Sequence, residues 1–135
     1  MKRIGLLHHP KLAATQPLAE TMARQIEEMG ISAWVGSTWD VDAVAAEIDQ
    51  LDLLVTLGGD GSILRAARMG CVGCVPVLGV NMGRLGFLAE LEPEEWDAAL
   101  PQLLEGRYWI EERMMLRAEY HHGDHCHGYE ALNDV

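Results

Sequence analysis

The sequence predicts an α/β fold, and three observations carry that reading. Between residues 4 and 104, apolar runs of strand length alternate with amphipathic stretches of helical period. Two glycine-rich loops each follow one of the apolar runs directly. From Tyr108 onward the period shortens to two around a Gly123-Asp124 turn, as in an antiparallel hairpin. With 135 residues, 49% of them hydrophobic, the chain is long enough for one core.

Ile4 to Leu7 is a first strand, closed by His8-His9-Pro10. A helix follows over 16–29, with Leu18, Met22, Ile26 and Met29 on its apolar stripe, Thr15 as its cap, Pro17 in the first turn and Gly30 as its left-handed stop. Residues 31–35 form a second strand. Asp40 caps a shorter helix whose inward face is Val41, Val44, Ala45 and Ile48, and residues 51–57 are the third strand. The loop Gly58-Gly59-Asp60-Gly61-Ser62 then opens a helix beginning Ile63-Leu64-Arg65. A strand over 75–80 tolerates Pro76 near its start. It leads through a second glycine loop to a helix over 93–104, which turns Trp96, Ala99, Leu100, Leu103 and Leu104 inward and ends at Gly106. The expected architecture is therefore Rossmann-like: a mostly parallel sheet flanked by helices over 1–110, passing into an antiparallel β-hairpin that begins a β-rich segment at 111–135. In such sheets ligands sit at the carboxyl ends of the strands, where both glycine loops lie. The tail 131–135 stops within a strand-like run, so the chain is expected to continue past Val135.

A formal charge of −11 argues against nucleic acid and anionic membrane as partners. An anionic small ligand remains compatible, met by backbone amides, helix ends, a divalent cation, or residues such as Arg65 and Arg84. The longest uncharged apolar stretch, 70–80, is short for a bilayer span and holds Pro76. Three cysteines, Cys71, Cys74 and Cys126, are too few and odd in number for a disulfide scaffold, which together with an N-terminus lacking a leader pattern predicts a cytoplasmic protein.

The first glycine loop carries the chemistry. Glycines let backbone amides approach a ligand, and the following helix start favours phosphate. Asp60 would repel phosphate, so its place there fits a group that takes a proton from a hydroxyl or holds a metal. The bland alternative is a tight turn with Asp60 or Ser62 as its cap. The second loop likewise reads two ways: a wall of a nucleotide site with Phe87 stacked on a base or nicotinamide, or a wide connection packing Leu85, Phe87 and Leu88 into the core. Neither a Walker A lysine motif nor a G-x-G-x-x-G fingerprint is present.

Together the stretches GGDGSILRAA (58–67), VPVLGVNMGRLGFL (75–88) and ALNDV (131–135) resemble NAD kinases in sequence and order. GGDG alone is shared with lipid and sugar kinases of a wider superfamily, whereas the second stretch is more specific. The resemblance implies that Asp60 is catalytic and acts on the 2′-OH of the adenosine ribose of NAD, giving NADP. ATP or inorganic polyphosphate would be the donor, with Mg²⁺ or another divalent ion. It further implies nucleotide contacts from Gly59, Gly61, Arg65, Phe87, Asn133 and Asp134, and a homo-oligomer at full length. NAD kinases continue into a β-rich C-terminal domain, so this chain alone is expected to be inactive or nearly so. A lipid or sugar kinase, and a non-catalytic dinucleotide-binding module, are the alternative readings.

His8-His9 stands where the family often has an asparagine before the proline, and both are expected to face solvent. Cys71-Val72-Gly73-Cys74 lacks the second ligand pair of a zinc ribbon and the helix start of a redox motif. His121, His122, Asp124, His125, Cys126 and His127 crowd the hairpin, but alternation along a strand splits them between faces. No metal ligands are assigned to either set.

Overall fold

The structure, a computed structural model, describes residues 1–83 and 86–132. Four strands, β1 (Arg3–His8), β2 (Ser32–Ser37), β3 (Leu53–Gly58) and β4 (Val77–Asn81), form one sheet in the order β2-β1-β3-β4, and every pairing is parallel. Helices α1 (Thr15–Glu28), α2 (Val41–Glu47) and α3 (Asp60–Gly73) make the crossovers, and α4 (Trp96–Leu104) follows a 3₁₀ turn at Pro93–Glu95. An antiparallel hairpin, β5 (Met115–His122) and β6 (His125–Leu132), comes last.

Strand alternation sorts the core into two layers. Ile4 and Leu6 of β1, with Leu53, Val55 and Leu57 of β3, meet Met22 and Ile26 of α1 and Trp96 and Leu100 of α4. Leu7 and Leu54 point to the opposite face, where Val44, Ile48 and Ala66 from the α2–α3 side close over them. Connections from β1 and β3 run to opposite sides of the sheet, so the strand order reverses between these two neighbours. A crevice at the carboxyl ends belongs at that place.

The expected order of elements is observed, with local differences. Thr15 is the first residue of α1 rather than its cap: its hydroxyl donates to Leu12 O (2.7 Å) and accepts from His9 N (2.9 Å), closing the β1–α1 loop. Val41 is not on the inward face of α2. It is 56% exposed, because the cap bond from Ala43 N to Asp40 Oδ1 (3.0 Å) starts the helix with Val44 facing the sheet. Gly30 and Gly106 both adopt positive φ at their helix ends, as expected.

Asp52 ties the sheet's N-terminal edge together, accepting the backbone N–H groups of Lys2 (2.6 Å) and Arg3 (2.9 Å) on one oxygen. Those bonds, opposed by partial desolvation and aided by the N-terminal and Lys2 charges, hold its carboxyl below the usual range. A depressed folded-state pKa contributes stability that is present above the unfolded value of about 3.9 and lost as pH falls through the folded value. Asp52→Asn should therefore cost less than about 1 kcal/mol at pH 7, since solvent screens this exposed carboxylate. In urea unfolding the gap to the parent should close as pH falls through the folded-state value, and a gap that persists once the carboxyl is protonated in both states would place the effect elsewhere.

Candidate functional site

The buried strand β3 delivers the first glycine loop to the carboxyl edge of the sheet, and α3 begins at Asp60. The glycines of the loop differ in what requires them. A Cβ on Gly58 would collide with the Ser62 hydroxyl, so the packing of β3 against α3 demands glycine there. At Gly59 and Gly61 a Cβ would meet nothing within 4 Å, and neither has the positive φ that favours glycine. Their bare backbone faces open space at a helix start, where the first N–H groups have no partner within the helix. Ser62 Oγ is buried without a hydrogen-bond partner.

Asp60 is not a cap. The cap position is Gly59, and the Asp60 carboxylate instead reaches the second glycine loop. The N–H of Phe87 donates to both of its oxygens (3.1 Å each) and the N–H of Leu88 to Oδ1 (3.1 Å). Gly86 completes the fit: a Cβ there would stand 2.7 Å from Asp60 Oδ1. The two loops are thus joined through one side chain. Phe87 is 88% exposed, so its ring is not core, while Leu88 is half-buried. Asn81 anchors the loop's first end, donating from Nδ2 to Glu92 Oε1 (2.9 Å). Glu90 Oε2 accepts from Gly79 N (3.1 Å); although the residue has exposed surface, desolvation of its carboxyl end raises its pKa above the usual range.

A cluster that the sequence did not announce stands at the neighbouring strand ends. Trp39, just past β2, carries the Lys11 ammonium 4.9 Å and the Arg65 guanidinium 5.5 Å from its ring centroid, and His9 meets it edge-on at 5.8 Å. Arg65 follows Asp60 by five residues on α3, about 7.5 Å along the axis. Three segments distant in sequence so place two cations on one indole, one of them carried by α3, within a chain of charge −11. His8 and His9 are half-buried rather than solvent-facing, because Trp39 covers one and the end of β1 holds the other.

Of the remaining expected residues, Arg84, Leu85, Asn133 and Asp134 lie outside the described residues. Cys71 and Cys74 are exposed, unpaired, and at the C-terminal end of α3, the end that does not favour a thiolate. Among the described residues, no group of three metal-ligating side chains includes Asp60.

The ATP-NAD kinase N-terminal domain model matches residues 7–108. The chain belongs to the NAD kinase family. It is 37% identical to an NAD kinase of Dehalococcoides mccartyi over 136 residues, 99% of this chain and 48% of that protein. It is 52% identical to one of Heliobacterium modesticaldum over 87 residues, 64% of this chain and 31% of that protein. The crystal structure of yeast NADH kinase complexed with NADH shares the fold, with a TM-score of 0.67 at 20% identity, over 98% of this chain and 46% of that one. The chain spans about half the length of full-coverage relatives such as the Dehalococcoides kinase.

Within an NAD kinase N-terminal domain, the open space at Gly61 has a measurable consequence. Alanine is the better helix former by roughly 0.5–1 kcal/mol, so Gly61→Ala should raise the melting temperature of the ligand-free chain. If Gly61 borders a nucleotide, the added methyl should at the same time weaken its binding. A variant that is more stable and binds nucleotide unchanged would show that Gly61 does not border the ligand.

Proposed function

We propose that this chain is the α/β half of an enzyme that phosphorylates the adenosine ribose 2′-OH of NAD. The observation that carries the reading is the Asp60 carboxylate, held at the head of α3 by amides of the second glycine loop. Oδ1 accepts two N–H bonds and Oδ2 one, which leaves Oδ2 the freer to accept the hydroxyl proton as the phosphoryl group moves.

Donor phosphates, from ATP or polyphosphate, lie against the bare amides of Gly59 and Gly61, with Lys11 and Arg65 turning from Trp39 to meet them. The exposed Phe87 ring offers a face to a base or nicotinamide, and Asn133 with Asp134 contact the dinucleotide. Mg²⁺, when bound, neutralises charge on the donor. Among the described residues no group of three ligands includes Asp60, which suits an ion carried mainly on phosphates and water.

The reading places a cytoplasmic enzyme whose α/β part covers 1–110 and whose β-rich part begins at 111, supported by three unpaired cysteines and by the change of architecture at β5. No helix among the described residues is long and apolar enough to cross a membrane. Trp109, Ile110 and Met114 stand exposed between α4 and β5, apolar surface of the kind that self-assembly covers. With Phe87 open to water, residues 1–135 alone lack the desolvation that transfer needs, and turnover should be near background. The test is NADP formation from NAD, ATP and Mg²⁺ by this chain continued to the length of its relatives. Phosphorylation of diacylglycerol or sphingosine in place of NAD would overturn the reading.

A further inference from the structure

The hairpin holds a second cluster of chemistry-bearing side chains. In the antiparallel register His121 lies opposite Cys126, and Glu119 opposite Gly128. Directly opposed residues share a face, so alternation leaves Glu119, His121 and Cys126 together and turns Tyr120, His122, His125 and His127 to the other side. The sequence-based expectation that alternation divides the histidines is right for the set, yet it leaves three different ligand types on one face.

Their spacing is that of a metal's coordination sphere. His121 Nε2 lies 3.8 Å from Cys126 Sγ and 3.5 Å from Glu119 Oε2, and the three donor atoms are all within 4.8 Å of one another. Tetrahedral zinc, with bonds of about 2.3 Å to sulfur and about 2.0–2.2 Å to nitrogen and oxygen, separates its ligands by about 3.6 Å and about 3.4 Å for these pairs. The two edges that meet at His121 therefore stand within a few tenths of an ångström of the required values before any ion enters, and Cys126 and Glu119 lie within 4.8 Å of each other. Glu119 Oε1 is engaged by Arg117 Nε (3.2 Å), which orients the carboxylate and leaves Oε2 toward the histidine. Glycine opposite Glu119 gives the Arg117 guanidinium room to lie across the strands, 3.7 Å from where a Cβ would stand.

We propose that Glu119, His121 and Cys126 form a zinc site that clips β5 to β6, with a fourth position taken by water. The sulfur and imidazole donors select zinc over Mg²⁺ or Ca²⁺, which take oxygen, so the site is distinct from any metal that accompanies the phosphate donor. Two paired strands are marginal by themselves, and an ion bound to both holds them in register.

The test uses the reduced, tag-free chain titrated with Co²⁺ as a spectroscopic stand-in and then with Zn²⁺. One Co²⁺ should bind per chain with a thiolate-to-cobalt charge-transfer band, displaced by equimolar Zn²⁺ of Kd on the order of 1 μM, weaker than four-ligand structural zinc. Cys126→Ser should abolish the band and His121→Ala should weaken binding at least about tenfold. His125→Ala, on the opposite face, and Cys71→Ser with Cys74→Ser should leave it intact. All these positions are solvent-exposed, and unchanged far-ultraviolet spectra without metal would confirm that each variant folds. A band that survives Cys126→Ser, that disappears with the Cys71/Cys74 pair, or that never forms would overturn the proposal.

Discussion

Asp60→Asn, made in this chain continued to the length of its relatives, should lower NADP formation by about 10²–10⁴-fold, the usual contribution of a positioned general base. NAD affinity should change little. The amide oxygen of asparagine can still accept the N–H groups of Phe87 and Leu88 that now bond to Asp60, so the two loops stay joined. What is lost is the capacity to take the hydroxyl proton. Steady-state rates together with an equilibrium NAD titration separate the two effects. Turnover within a few-fold of the parent would remove Asp60 from the reaction, whereas loss of NAD binding in step with the rate would give it a binding role only.

Gly86→Ala should be the next most damaging change, although Gly86 carries no functional group. Its Cβ would stand 2.7 Å from Asp60 Oδ1, closer than carbon and oxygen can rest, and either the carboxylate or the loop must move. Displacement of a catalytic group by about 1 Å costs on the order of 10²-fold in rate. The loss should fall on kcat, with the KM for ATP nearly unchanged. Gly83→Ala is the control in the same loop, since a Cβ there meets nothing within 4 Å. If both alanine variants turn over alike, the contact between Gly86 and Asp60 does not position the base.

Much of this molecule is readable from local pattern. Period-2 and period-3.6 hydrophobicity, with glycine at the helix ends, marks each strand and helix to within a few residues, because those signals arise from contacts a few positions apart. The glycine loops were legible for the same reason. Thr15 and Val41 escaped that reading because long-range packing and the loop before a helix decide which residue begins it. Trp39 escaped it more completely, since its cation partners come from residues 11 and 65.

By itself, then, the sequence determined the α/β order, the place of two glycine loops at strand ends, and Asp60 as an acid where phosphate would be expected. Only the tertiary structure decided that this acid is held by amides 27 and 28 residues away, that Gly86 must be bare beside it, and that Glu119, His121 and Cys126 share a face. The reason is physical. Secondary structure follows from neighbours along the chain, whereas a site is made where the parallel sheet and the hairpin register bring distant residues within bonding distance, and no periodicity records that distance.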